Sequence, residues 1–340
     1  MKAAASVRLA WLISAGTTRP RKRPPATCRH GRSPHRTDPT DLMIEATLII
    51  PTCNRPADLE RCLRALAPQL ELHPCEVIVS DDSRDQRTQA MLKAEFPSVK
   101  ITFGPRSGPG ANRNAGARQA SGEWLIFIDD DVIPAPGFLS SYLSAFATAK
   151  DTHVFHGLTV ATPEKNSLLW EAPEVLGPLP CFPSCNFAIR RELYAKSEGF
   201  DERFNPSFED IEFSSRLQGQ GESCGFVAAA VVQHPLRPLP CAKKLALRWE
   251  PRVISALDMG ASPAVLPLLL TKHVVLVIAS RFRGARLCWD NCKAALLFAG
   301  EFSWFLVLLP SWLQRHAKAK RSPFWELQRS LGNTPLRYGL

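Results

Sequence analysis

From residue 46 onward, short apolar runs alternate with longer stretches in which apolar residues recur every three or four positions. Residues 46–50 (Ala-Thr-Leu-Ile-Ile) form an apolar run stopped by Pro51, the pattern of a strand buried on both faces of a parallel sheet. Leu59, Cys62, Leu63 and Leu66 follow at i, i+3, i+4 and i+7, which predicts an amphipathic helix. Residues 76–80 predict a second strand running into Asp81-Asp82-Ser83, followed by a helix near 87–95 and a strand near 99–103. Gly108-Pro109-Gly110 opens an Ala-rich helix carrying Arg113 and Asn114, and 124–128 predict a fourth strand ending at Asp129-Asp130-Asp131. Strands alternating with helices at this pitch predict an α/β fold, doubly wound around a mostly parallel sheet flanked by helices. Ligands of such sheets sit outside the carboxyl ends of the strands, so the two aspartate clusters are expected on one rim.

The second half is less regular. It predicts a strand at 187–189, a helix from Arg191, a loop at 201–206, a helix at 207–218 containing Glu209-Asp210, and a strand at 225–232 leading to His234-Pro235. Beyond Lys243 the character changes: 264–279 and 294–313 are long and apolar, interrupted by Lys272-His273 and by Glu301. Arg281, Arg283, Arg286 and Lys293 lie between these stretches, and Arg315, Lys318, Lys320 and Arg321 follow them. About 20 apolar residues span a bilayer, but a two-span hairpin would place its basic loop against the positive-inside bias. The expectation is a C-terminal apolar helical appendage lying in the interface of an anionic membrane. A soluble helical pair buried on the sheet or in a dimer is the alternative. Three regions result: a disordered basic extension over 1–42, a catalytic domain over 43–240, and a membrane-associated helical region over 241–340.

Composition narrows the partners. The 340 residues are 45% apolar and 22% charged, a globular balance. The net charge of +10 suggests a nucleic-acid surface until it is located: residues 1–41 hold nine Lys/Arg against Asp38 and Asp41, leaving only +3 for the rest. No nucleic-acid partner is expected for the main body. The extension lacks apolar periodicity and cannot offset its ordering entropy by burial. Met43 is a candidate start of translation, in which case the extension is not made. Ten cysteines are too sparse for a disulfide scaffold, and Cys181/Cys185 and Cys288/Cys292 lack the second pair that a zinc site needs.

Three adjacent aspartates repel one another unless a cation neutralises them. Oxygen ligands of this kind suit Mg²⁺ or Mn²⁺ bridging protein to a diphosphate; a solvated acidic turn is the alternative for the triplet taken alone. The triplet has company. Thr47-Leu-Ile-Ile-Pro-Thr-Cys-Asn-Arg-Pro, Val77-Ile-Val-Ser-Asp-Asp-Ser, Ala111-Asn-Arg-Asn-Ala-Gly, Trp124-Leu-Ile-Phe-Ile-Asp-Asp-Asp, Gly199-Phe-Asp-Glu and Phe208-Glu-Asp-Ile-Glu-Phe-Ser-Ser-Arg-Leu occur in this order. Together they resemble family 2 glycosyltransferases of the GT-A fold, over about residues 46–236.

The resemblance implies roles residue by residue. Thr52 and Arg55 match positions lining the nucleotide pocket, Asp82 the aspartate that receives a hydrogen bond from the base, and Arg113 a residue near the nucleotide or its phosphates. Asp131 matches the metal-contacting end of a D-x-D motif, Asp129 or Asp130 would face the ribose, and His234 falls where some members supply a further metal contact. Asp210 matches the catalytic base of inverting members. The implied reaction moves a sugar from a nucleoside-diphosphate sugar to a hydroxyl of a glycan or lipid-linked acceptor, with Mg²⁺ or Mn²⁺ as cofactor. The expected location is the cytoplasmic face of the cell membrane, as a peripheral protein. Processive members carry Q-x-x-R-W; here Arg248-Trp249 stands without the Gln, which argues against a polysaccharide synthase, and Arg248 could still reach the diphosphate. Two rival readings stay open. A sugar-nucleotide nucleotidyltransferase would need a Gly-rich basic loop where Pro51-Thr-Cys-Asn-Arg-Pro stands, and a non-catalytic membrane-docked module would have no need of Asp210.

Overall fold

The computed structural model describes residues 45–163, 167–179, 181–283, 285, 288–319 and 322–330. The extension expected to be disordered, 1–42, and Arg286, Lys320 and Arg321 of the basic flanks lie outside the described residues. The chain runs β1 (Ala46–Thr52), α1 (Pro56–Leu72), β2 (Glu76–Asp81), α2 (Arg87–Glu95), β3 (Lys100–Phe103), α3 (Pro109–Ala117) and β4 (Trp124–Ile128). It continues through β5 (Ile133–Pro134), α4 (Phe138–Thr148), β6 (Val154–Thr162), β7 (Trp170–Glu171), β8 (Asn186–Arg190), α5 (Arg191–Lys196), α6 (Glu209–Gly219), β9 (Cys224–Pro235) and β10 (Arg237–Pro238). Five helices close it: α7 (Ala242–Leu247), α8 (Glu250–Asp258), α9 (Leu266–Arg281), α10 (Trp289–Ala317) and α11 (Pro323–Ser330).

Eight strands form one sheet in the order β3-β2-β1-β4-β8-β6-β9-β5. β1 is parallel to β2 and β4, and β2 to β3. β8 runs antiparallel between β4 and β6, and β9 is again parallel to β6. The sheet is mostly parallel, with helices on both faces, as the sequence pattern requires. Every residue of β1, β2 and β4 is buried, because central parallel strands have apolar layers above and below. Along β4 the period of two is visible in the packing. Trp124, Ile126 and Ile128 face a cluster with Leu59, Leu63, Phe138 and Tyr142, whereas Leu125 and Phe127 face one with Phe187, Tyr194, Phe200 and Phe213.

Two differences from the sequence reading bear on the site. β9 extends past 232 because β6 keeps pairing with it beyond an irregularity at Gly157/Leu158, as far as Thr162 opposite Pro235. His234 therefore sits on the strand and not after it. The second difference is α7 and α8, which have six and nine residues and give too little periodic signal to be read.

The C-terminal helices pack on one another through Ala246, Trp249, Val253, Leu270, Val274, Phe305, Leu309 and Trp312. α10 buries one stripe (Ala294, Phe298, Glu301, Phe305, Leu309, Trp312), the spacing of a single helical face. Glu301, which interrupts the apolar run, points inward, where it accepts from Trp249 Nε1 (2.8 Å) and Arg281 Nη1 (2.6 Å). Arg203 reaches both Asp201 and Asp258 at 2.6 Å, tying α8 to the loop before α6.

Candidate active site

The parallel register of β1, with Thr52 opposite Asp81, brings the ends of β2, β1 and β4 side by side. Asp82 is buried and its Oδ1 accepts the amide of Arg106 at 3.0 Å. Burial raises its carboxyl above the ordinary range, against that amide and the Arg106 charge. Gly104 is required beside it: a Cβ there would collide with the Asp82 carboxylate and the Asn112 side chain. Asn112 receives the Ser80 hydroxyl (2.6 Å) and donates to the Thr52 carbonyl (3.2 Å), which braces the ends of β1 and β2 from α3.

Past the end of β4 the three aspartates diverge. Asp130 is fully buried, accepts from Thr52 Oγ1 at 2.7 Å, and lies 3.2 Å from Arg55. The Arg55 contact has ion-pair distance without hydrogen-bond alignment, so Oδ1 stays unsatisfied. Burial pushes the Asp130 carboxyl up to about 7 despite Arg55. Of the two aspartates expected at a ribose, Asp130 is turned into the protein and Asp129, 25% exposed, is on the open side. Asp131 is buried and receives Arg237 Nε at 2.6 Å and Arg55 Nη1 at 3.4 Å on Oδ2. His234 Nε2 lies 3.5 Å from its Oδ1.

Asp129, Asp131 and His234 each direct one ligand atom into a common space, all within 4.8 Å of one another. His234 Nδ1 lies 3.1 Å from the Pro235 carbonyl; a carbonyl only accepts, so Nδ1 carries a proton, and Nε2 is the nitrogen turned toward Asp131 and able to serve as a metal ligand. Two carboxylates and one imidazole nitrogen fit Mg²⁺ or Mn²⁺, which take their remaining ligands from water or phosphate. Arg237 and Asp58, its second partner at 3.1 Å, were missed in the sequence. Their only signal there is the position of Arg237 three residues after His234.

α6 opens at Glu209 after Phe208, which has φ +79°, an uncommon conformation for a bulky residue that turns the chain sharply into the helix. Asp210 is half-buried: Oδ2 accepts the amide of Ser184 at 3.3 Å and Oδ1 that of Ile211 at 2.8 Å. Glu209 is buried and pairs with Arg113 Nη1 at 2.8 Å. Burial raises both carboxyls, Glu209 to about 7 with Asp210's charge as the next contribution. Arg113 is itself buried, with its other amino group 2.6 Å from Asp129 and its plane over Phe200. Burial disfavours its charge, but Asp129 and Glu209 more than offset that and hold it protonated. The residue expected near the phosphates thus joins the acidic triplet to the helix of Asp210. Arg248 has a different commitment: its two amino groups clasp Glu171 at 2.7 and 2.9 Å.

Residues 47–200 match the family described as Glycosyl transferase family 2. An uncharacterized glycosyltransferase of Haemophilus influenzae is 28% identical over 183 residues, covering 50% of this chain and 61% of that protein. The GalNAc(5)-diNAcBac-PP-undecaprenol beta-1,3-glucosyltransferase of Campylobacter jejuni is 33% identical over 118 residues, covering 33% of this chain and 38% of that protein. The chain therefore spans 61% and 38% of the length of these two relatives. Among solved structures, S. aureus TarS 1-349 in complex with UDP-GlcNAc superimposes with a TM-score of 0.50 at 17% identity, over 85% of this chain and 92% of that one. What the two share is the fold, the curled, mostly parallel GT-A sheet with flanking helices.

Proposed function

The chain belongs to glycosyl transferase family 2 through its 47–200 segment, and from that premise we propose that it is an inverting, metal-dependent transferase using a nucleoside-diphosphate sugar. The observation that carries this reading is the convergence of Asp129, Asp131 and His234 on one point, joined through Arg113 and Glu209 to Asp210. Asp82 and Thr52 line the nucleotide end. Asp129, Asp131 and His234 would hold Mg²⁺ or Mn²⁺, which when bound supplies the Lewis-acid charge that stabilises a departing diphosphate. Arg55 and Arg237, partly exposed around Asp131, hold positive charge toward the same phosphates. Asp210 takes the proton of the acceptor hydroxyl as its oxygen bonds to the anomeric carbon. The bond to the diphosphate breaks on the opposite face, which inverts the configuration.

The acceptor end of the reading rests on the C-terminal helices. α10 is long and apolar enough to cross a membrane by length and composition. Its inward Glu301 and its packing on α8 favour a helix lying along the membrane surface. Leu268 (73% exposed), Leu276 (57%), Leu296 (77%) and Val307 (67%) leave an apolar face on α9 and α10. Exposed Lys272, Arg283, Lys293, Arg315 and Lys318 accompany it, the combination that suits anionic lipid. The Campylobacter relative is named for an undecaprenol-linked acceptor, and a lipid-linked or cell-surface glycan is the acceptor class proposed here, met at the cytoplasmic face of the membrane.

Screening labelled sugar nucleotides for hydrolysis with and without Mn²⁺ tests the reading. Release of sugar that needs the metal supports it. Nucleotide binding without turnover would favour a non-catalytic module.

A further inference from the structure

Arg252, in the first turn of α8, carries a guanidinium that makes no ion pair among the described residues. Its Nη1 donates to the Arg248 carbonyl at 3.2 Å. Its Cζ lies over the indole of Trp249, 4.6 Å from the ring centre, and over the phenyl ring of Phe208, at 5.0 Å. Most other arginines around the site are committed to carboxylates: Arg55, Arg113 and Arg237 to the triplet or its neighbours, Arg203 to Asp258, Arg248 to Glu171, and Arg281 to Glu301, while Arg106 donates to the Ser83 carbonyl at the nucleotide end.

The titratable groups that face Arg252 are Arg281, Glu301, Asp210 and His273. Glu301 is already taken by Arg281 and Trp249. Asp210 spends its oxygens on two backbone amides and makes no ion pair with Arg252. Burial first, then Arg281, pulls Arg252 down to about 10. A desolvated cation of this kind is costly to hold unless an anion arrives to meet it. The stacking is also rigid. Trp249 is buried and pinned by Glu301 of α10, and Phe208 directly precedes Glu209 and Asp210. Arg252 is thereby fixed relative to Asp210, on the helical side of the molecule, while Arg113 fixes the same segment from the metal side.

We propose that Arg252 binds an oxyanion carried by the acceptor, a phosphate or a carboxylate, beside the hydroxyl that Asp210 deprotonates. The assignment rests on the transferase reading above. The planar guanidinium, held over Trp249 and Phe208 and using one hydrogen bond on the Arg248 carbonyl, keeps further N–H donors for the two-pronged geometry that phosphate and carboxylate accept. An acceptor held there has its reacting oxygen placed against Asp210 without using the diphosphate site.

The test is calorimetric titration of the full chain, saturated with Mg²⁺ and with UDP or GDP, by inorganic phosphate, glucuronate and the neutral methyl glucoside. The wild type should bind the anions saturably and not the neutral sugar. Arg252→Gln should weaken anion binding at least tenfold, Arg252→Lys should weaken it less, and both should keep nucleotide affinity within twofold. Tighter binding of phosphate assigns a phosphorylated acceptor, and tighter binding of glucuronate an acidic sugar. Absence of anion binding by nucleotide-loaded wild type, equal anion binding by Arg252→Gln, or a parallel loss of nucleotide affinity overturns the proposal. Should Arg252→Gln not fold, Arg252→Lys decides: a loss of threefold or more at an unchanged melting temperature supports the proposal, and unchanged anion affinity overturns it. Failure of the wild type to bind either nucleotide contradicts the transferase reading itself, and the acceptor assignment with it.

Discussion

Arg113 Nη1 lies 2.8 Å from Glu209 Oε1, a buried ion pair that fixes α6, and with it Asp210, against α3. The same guanidinium holds Asp129 at 2.6 Å, so removing it strands two carboxylates at once. Breaking one side of a buried pair typically costs about 3–5 kcal/mol. Arg113→Met should lose stability of that order in chemical denaturation, and adding Glu209→Gln should recover part of it, because the stranded charge is gone. A loss below about 1 kcal/mol for Arg113→Met would show that the pair is not structurally coupled to the fold.

The metal assignment separates Asp131 and His234 from Asp130. Asp131→Ala should abolish the dependence of nucleotide binding on Mn²⁺. His234→Ala should weaken the metal-linked part at least about tenfold, in line with the effect of disturbing a metal's surroundings, and leave binding in EDTA unchanged. Asp130, enclosed by Thr52 and Arg55, should act on stability when replaced by Asn, with the metal-linked affinity retained. Calorimetry with and without Mn²⁺ reads all three, and unchanged metal linkage in Asp131→Ala would remove it from the site.

The Glu209–Asp210 pair sets the pH dependence. A base works ionised, and burial raises Asp210 above the ordinary carboxylate range while Glu209 sits at about 7. The rate of sugar release should therefore rise with pH through a limb displaced upward from the ordinary carboxylate range. Glu209→Gln removes a neighbouring negative charge and frees Arg113, and both changes favour ionised Asp210. The limb should move to lower pH in that variant. A limb that moves upward, or one centred in the ordinary carboxylate range in the wild type, contradicts the argument.

Leu268 and Leu276 on α9 test the membrane reading. The double change Leu268→Glu and Leu276→Glu places charge at two mostly exposed positions, so the melting temperature should hold. Co-sedimentation with anionic phospholipid vesicles should fall sharply, and wild-type binding should weaken with salt and on neutral vesicles. Equal sedimentation of variant and wild type, or a wild type that ignores vesicles and dimerises through this face, would contradict it.

Much of the site was legible because its residues stand at strand ends. Apolar runs such as 46–50 and 124–128 locate the strands, and parallel winding then puts Asp82 and Asp129–Asp131 on one rim without knowledge of any distance. What the sequence does not carry is direction. Nothing in Asp129-Asp130-Asp131 tells that the middle residue turns inward to Thr52 while its neighbours converge with His234. Nor does it tell that Arg113 spans from Asp129 to Glu209, residues 16 and 96 positions away. Arg237 and Arg252 were illegible for a related reason: their surroundings come from β4, α1, α8 and the Phe208 turn, which only the folded chain brings together. Glu301 reads as a flaw in an apolar helix until its partners Trp249 and Arg281 are known.

Asp210 is proposed to take the acceptor proton beside a metal-held donor. Asp210→Asn keeps the shape, and Asn at a helix start is a good substitute for an aspartate that only caps. Metal-dependent turnover of the donor sugar should fall about 10²–10⁴-fold, with Mn²⁺-linked nucleotide affinity within twofold of wild type, because in the proposed mechanism Asp210 would meet the acceptor and not the diphosphate. Turnover within a few-fold of wild type in Asp210→Asn would contradict that role and leave Asp210 a first-turn carboxylate that only receives the Ser184 and Ile211 amides.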